Sequence, residues 1–355
     1  MPVILQAAHA SPPHRFRQDF LGAVVAERFA GKMPGLEPDR IRDVFAHSRI
    51  DERAFLMPLD WYLAPHTIED RNRAFLEQGF ALLVESSRNV LSLSGIRPDQ
   101  VGQVVFVTTT GMSAPSLDSY LVNALGLSPS VSRLPVWGLG CAAGSAGIAR
   151  AFDYCLAHPA AIVLVASLET CSLNFIPDDL SRLNLVAMSL FADCSAAVLV
   201  AGDAAAVPNG PGVRILDTRS HFFPGTTGLM GWDVTDAGFR LVLTPELPEI
   251  LRSELGGVVD AFLEAHGLSR NDVVHVLAHP GGAKIMDAVT EALGLSADRL
   301  RIGESVLRDF GNVSSASVLL VLERWLAEGG YRNPGYGLIV SFGPGFAAEM
   351  VLVRS

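Results

Sequence analysis

Pro135-Val-Trp-Gly-Leu-Gly-Cys-Ala-Ala-Gly-Ser-Ala-Gly-Ile-Ala-Arg150 crowds small residues around a thiol just ahead of a helical pattern. The pattern predicts Cys141 at a helix N-terminus. Unpaired amide N–H groups and the positive end of the helix dipole favour a thiolate there, so a lowered pKa and a prepared nucleophile are expected. Gly138, Gly140 and Gly144 let another group approach the backbone closely, as a covalently attached substrate must. A lone cysteine in such a turn fits a buried structural thiol equally well, and the rest of the chain decides between the two.

Working outward, the same order of elements occurs twice. Val104-Val-Phe-Val107 reads as a short apolar strand ending in the polar turn Thr108-Thr-Thr-Gly111. The Cys141 helix follows, then strands at Ala161-Ile-Val-Leu-Val-Ala166 and Ser195-Ala-Ala-Val-Leu-Val200. After Arg270 comes the strand Val273-Val-His-Val-Leu277 with its turn His279-Pro-Gly-Gly282. A helix expected to run from Asn312 through Trp325 follows, then strands at Gly337-Leu-Ile-Val-Ser341 and Met350-Val-Leu-Val353. Val105 and Val274 are 169 positions apart and Cys141 and Asn312 171, so both halves keep nearly one step. That repeat predicts two similar βαβ-type halves packed together, with loops at equivalent ends converging on one crevice. Residues before about Ile96 carry mostly helical periodicity, clearest from Asp70 to Leu93, and predict a helical N-terminal arm. The halves are drawn at 1–210, carrying Cys141, and 211–355, carrying His279 and Asn312.

Composition narrows the class. The chain has 355 residues, 49% of them hydrophobic and 18% charged, enough to bury a large core. A net charge of −10 argues against general affinity for nucleic acid. Cys141, Cys155, Cys171 and Cys194 show no paired C-x-x-C spacing, so reduced thiols in a cytoplasmic protein are expected, and no metal site. No apolar run approaches the roughly 18 residues of a membrane span.

His279 follows a buried-looking strand on a rigid turn, and Asn312 occupies the second-half position that matches Cys141. Singly, each has an ordinary explanation, a hydrogen-bonded histidine and an N-cap. All three at ends of repeated elements point instead to one cavity.

On these residues the chain resembles the thiolase-fold condensing enzymes, and among them the type III polyketide synthases that include chalcone and stilbene synthases. The resemblance covers nearly everything after about residue 20 and rests on Thr108-Thr-Thr-Gly111, Gly140-Cys-Ala-Ala-Gly144, Leu190-Phe-Ala-Asp193, His279-Pro-Gly-Gly282, Gly311-Asn-Val-Ser-Ser315 and Ser341-Phe-Gly-Pro-Gly345. It implies an α/β fold of duplicated βαβαβ halves in αβαβα layers, with mixed five-stranded sheets. It implies that Cys141 carries an acyl group, that His279 stabilises its thiolate, and that His279 and Asn312 form an oxyanion hole for the enolate of decarboxylated malonyl-CoA. Iterative condensation and cyclisation would follow, without a cofactor beyond the CoA thioester substrates.

Pocket roles are implied as well. Phe191 would guard the CoA tunnel. Leu241 stands where plant relatives carry a second aromatic gate, which would widen the entrance. Cys171, Asn174, Thr109 and Ser314 would line the cavity, and Gly343-Pro344-Gly345 would shape it by backbone. Arg40, Arg42 and Arg49 are candidates for the CoA phosphates, with a solvated helix face as the competing view. Ala114 aligns with a methionine that reaches the neighbouring subunit in plant relatives, and a homodimer is expected. The implied product is a pyrone or resorcinol built on a long-chain acyl starter. A malonyl-primed tetrahydroxynaphthalene or phloroglucinol-type synthase is the alternative, as is a β-ketoacyl-ACP synthase III. A papain-like hydrolase would use the same residue types but lacks its nucleophile neighbourhood here.

Overall fold

The computed structural model describes residues 1–32, 36–207, 212–236 and 238–355. Nine strands form its main sheet: β1 (Val3–Ala10), β2 (Val101–Thr108), β3 (Ser132–Trp137), β4 (Ile162–Thr170), β5 (Asp193–Ala201), β6 (Val213–Phe222), β7 (Val273–Ala278), β8 (Tyr336–Gly343) and β9 (Ala347–Arg354). Their order is β7-β8-β9-β6-β1-β5-β4-β2-β3. Every residue of β4 and β5 is buried. A strand covered on both faces needs an apolar run and no alternation, which is why these segments are continuous in the sequence.

The repeat is visible in the pairing. β2 lies parallel to β4, β4 antiparallel to β5, and β5 antiparallel to β1. In the second half β7 lies parallel to β8, β8 antiparallel to β9, and β9 antiparallel to β6. The first half adds β3 beside β2, making five strands, whereas the second contributes four. The halves join at the pairs Val3–Arg214 and Ile4–Val213, so the expected pair of five-stranded sheets becomes one continuous sheet of five plus four. The divide placed at 210/211 lies outside the described residues.

Two helices fill the space between the halves. Ala143–Ala157 and Ala316–Ala327 each touch strands of both halves, and one another. Their approach depends on Gly144: a Cβ there would lie 2.3 Å from the Ser315 carbonyl oxygen and 2.6 Å from Val318 Cγ1. The central apolar cluster surrounds this pair, and a second packs Phe80–Ser94 against the first half. A third packs Leu247–Glu264 and Ala283–Leu293 against the second, giving the αβαβα layering.

The N-terminal arm carries helices at Gln18–Phe29 and Pro38–Ala46, but its start requires correction. Val3–Ala10 is a strand inside the sheet, and His14–Arg17 pairs with Glu52–Phe55 as a separate ribbon. The alanines of Ala7-Ala-His-Ala10 suit a helix by propensity, but a strand between two neighbours gains ladder hydrogen bonds and burial on both sides. The helical reading holds farther on, where Ile68–Ala74 continues through a π-helical turn at Phe75–Gly79 into Phe80–Ser94. Among the described residues no helix is long and apolar enough to cross a membrane.

Candidate active site

Cys141 lies in a tight turn, Gly140–Ala142, that opens directly into the helix Ala143–Ala157. Its side chain is buried, with the sulfur 3.7 Å from Ser314 Oγ and 4.0 Å from Asn312 Oδ1. The loop Gly343-Pro344-Gly345 closes over this turn. A Cβ on Gly343 would fall 2.2 Å from the Leu139 carbonyl oxygen, so only glycine permits that approach. The Ser341 hydroxyl donates to the Ala142 carbonyl at 3.3 Å and pins β8 to the same turn.

His279 arrives from β7, its amide donating to Val340 on β8 at 2.8 Å. The imidazole is buried, and neither ring nitrogen has a hydrogen-bond partner among the described residues. Asn312 does not begin a helix, since the helix starts only at Ala316. It forms instead a parallel bridge with Phe191, its amide donating to Leu190 O at 2.9 Å and its carbonyl accepting from Ala192 N–H at 3.0 Å. Its carboxamide oxygen accepts from Ser314 N–H at 2.8 Å, which fixes the amide's orientation. One Nδ2 hydrogen reaches the Gly281 carbonyl at 3.3 Å, in the His279 turn, leaving the other for a ligand. Ser314 is held at φ 50°, a conformation that non-glycine residues seldom adopt.

The electrostatics correct one expectation. Burial pushes the Cys141 thiol up to about 12, against the smaller opposing effect of its Ser314 contact. Burial likewise pulls His279 down to about 3. The helix N-terminus does not outweigh the loss of water, and burial holds both groups toward their neutral forms.

A carboxylate adds to this, and composition gave no sign of it. Glu169, wholly buried at the end of β4, accepts from Thr109 N–H at 3.1 Å, Thr109 Oγ1 at 3.2 Å, Thr110 Oγ1 at 2.9 Å and the Ser315 hydroxyl. Burial raises its pKa, opposed by those donors, and its charge raises Cys141 further. Thr109 is thus engaged by Glu169. Cys171 opens the turn Cys171–Asn174 after β4, is fully buried, and is held well above the ordinary thiol range by that burial. Asn174 donates to Thr110 O at 3.4 Å.

Phe191 is buried and its ring centroid lies 5.9 Å from that of Trp232. Trp232 pairs directly with Leu241 across the ribbon Met230–Thr235/Gly238–Leu243, so the two share a face. An aromatic side chain therefore stands beside Leu241, supplied by its cross-strand partner. Only a ribbon pairing, invisible in the linear sequence, could have singled out Trp232.

The three arginines are all paired: Arg40 with Asp43 at 3.5 Å, Arg42 with Asp39 at 2.6 Å, and Arg49 with Asp287 at 2.8 Å. The solvated-face reading suits Arg40 and Arg42. Lys284, one of only two lysines in the chain, is exposed in the first turn of Ala283–Leu293 and forms no ion pair among the described residues. Ala114 is exposed.

A buried thiol, imidazole and carboxamide at the seam of a duplicated α/β fold define a condensing enzyme of the thiolase-like class. Residues 61–204 match the N-terminal domain of chalcone and stilbene synthases and residues 214–355 the C-terminal domain. The chain is 37% identical to a 1,3,6,8-tetrahydroxynaphthalene synthase of Streptomyces peucetius over 97% of its length and 91% of that protein. It is 33% identical to the alpha-pyrone synthesis polyketide synthase-like Pks18 of Mycobacterium tuberculosis, over 99% of this chain and 90% of the other. The solved 1,3,6,8-tetrahydroxynaphthalene synthase of Streptomyces coelicolor, a bacterial type III polyketide synthase, superimposes with a TM-score of 0.93 at 28% identity, covering 99% of both chains. The chain belongs to the chalcone and stilbene synthase family and is a type III polyketide synthase, an acyltransferase.

Proposed function

We propose that Cys141 attacks the thioester of an acyl-CoA starter, releasing CoA thiol and holding the acyl group while malonyl-CoA is decarboxylated beside it. The enolate left by loss of CO₂ carries negative charge on its thioester oxygen, which accepts from His279 and the free Nδ2 hydrogen of Asn312. Its carbon then attacks the acyl-Cys141 carbonyl, forming the C–C bond and expelling the Cys141 thiolate. The lengthened chain returns to the sulfur for the next cycle. The observation that carries this reading is the buried imidazole with neither nitrogen engaged among the described residues, on a turn contacted by a carboxamide fixed at its oxygen. A neutral donor suits a charge that develops during the reaction. No cofactor enters the scheme. An exposed Lys284 beside the His279 turn suits the CoA phosphates better than Arg40 or Arg42.

For the starter, a long-chain acyl group leading to a pyrone or resorcinol is favoured by an apolar cleft lined by Val25, Phe29, Phe55, Tyr62, Phe175 and Met188. Phe175, the residue that follows Asn174, is part of its lining. The second reading, a malonyl-primed aromatic synthase, is favoured by Trp232 filling the gate. Incubation with malonyl-CoA alone separates them: an aromatic product formed without added acyl-CoA overturns the long-chain reading. Exposed Met112, Tyr120 and Trp137 support a homodimer, and four unpaired cysteines a reducing, cytoplasmic location.

A further inference from the structure

Arg53 is the largest fully buried side chain among the described residues, yet its guanidinium makes no ion pair there. Nε–H donates to Gln18 Oε1 at 2.9 Å and Nη1–H to the Phe191 carbonyl at 2.6 Å. The guanidinium carbon lies 5.1 Å from the Phe55 ring centroid and 5.8 Å from that of Phe45. Burying a charge without a contacting counter-charge is costly, and an apolar residue of similar volume would fill the space without that cost. The hydrogen bonds therefore indicate what the charge is there to do.

Ser189 and Leu190 end the helix Arg182–Leu190, Phe191 leaves it in extended conformation, and this junction is held from two sides in alternation. On one side Gln18 Nε2 donates to Ser189 O at 2.7 Å and Arg53 to Phe191 O. On the other, Leu190 O and Ala192 N–H pair with the backbone of Asn312. The stem of Arg53 also packs on the residue before Asn312: a Cβ on Gly311 would lie 2.9 Å from Arg53 Cδ and 3.0 Å from Leu190 O. One side chain thus holds Phe191 directly and packs on the residue that precedes its bridge partner Asn312.

We infer that Arg53, supported by Gln18, is a positioning residue that fixes the Phe191–Asn312 bridge and so sets the Asn312 carboxamide at the oxyanion site. The inference rests on the proposed role of Asn312. Arg53→Met keeps the approximate volume and removes every donor. It lowers kcat for malonyl-CoA decarboxylation at least tenfold and changes KM less than threefold. Alkylation of Cys141 by iodoacetamide stays within twofold of wild type, because the Cys141 turn makes no contact with Arg53. Arg53→Lys, retaining one donor, recovers part of the lost kcat. General loosening of the fold would move all three readouts together and would not be relieved by lysine.

A folded Arg53→Met enzyme with wild-type kcat overturns the inference. Where Arg53→Met does not fold, Arg53→Lys and Gln18→Leu carry the test: each lowers kcat about three- to tenfold, and wild-type kcat in both overturns it. Asn312→Ala is run alongside. Wild-type decarboxylation there defeats the reading of the site, whereas a slow Asn312→Ala with an unimpaired Arg53→Met defeats only the positioning role.

Discussion

The Cys141 sulfur lies 4.0 Å from Asn312 Oδ1 although 171 positions separate them in the chain. The contact arises because each residue precedes the buried helix of its own half, and those helices pack face to face where Gly144 meets Ser315. Duplication brings the two equivalent turns together at one seam, so the chemistry belongs to the interface between halves.

The resting protonation state is the first consequence that can be measured. With the Cys141 thiol pushed up to about 12, almost none is thiolate at neutral pH. Alkylation of the unliganded enzyme by iodoacetamide should be slow at pH 7 and rise about tenfold per pH unit up to pH 10, without levelling. A rate already at its plateau by pH 7 would mean that a preformed thiolate–imidazolium pair exists. Under the proposed mechanism, the Cys141 proton passes to His279 during acylation itself.

His279 also links stability to pH. Its folded pKa is depressed to about 3 by burial, below the ordinary histidine value of 6.5. The unfolded chain binds a proton there below 6.5 while the folded chain does not, so stability present above 6.5 is lost as pH falls toward 3. Between pH 7 and pH 4.5 the histidine should account for roughly 2–3 kcal/mol of the decline. Urea unfolding of wild type and His279→Gln at both pH values checks this. Equal declines in the two proteins would show that the imidazole is not held neutral by burial.

Trp232 should govern how much acyl chain the entrance admits. Trp232→Ala removes the ring that packs on Phe191 and that faces Leu241 across the ribbon. Competition between short and long acyl-CoA starters, read by mass spectrometry of products, should shift toward the longer starter by about tenfold. That is the order of one or two methylene groups newly accommodated in an apolar pocket. An unchanged product ratio would remove Trp232 from the gate.

The repeated strands and both site-bearing halves were legible because each is a continuous apolar run, as burial on two faces demands. Val3–Ala10 was not, since a short alanine-rich segment carries no period that separates strand from helix. The order of Cys141, His279 and Asn312 along equivalent turns was readable from the spacing of the repeat. Trp232 and Arg53 were not, because their roles come from a cross-strand register and from backbone carbonyls 138 positions away. The raised thiol pKa was missed for a related reason: helix position can be read from sequence, but exclusion of water and the nearby Glu169 cannot.

The central claim is that the acyl carrier and the enolate-stabilising donors are separate groups. Cys141→Ala, assayed with radiolabelled malonyl-CoA and an acyl-CoA starter, tests it most directly. The variant should form no polyketide, at least 10³-fold below wild type, while still releasing CO₂ through His279 and Asn312. Polyketide output at the wild-type rate would contradict the account.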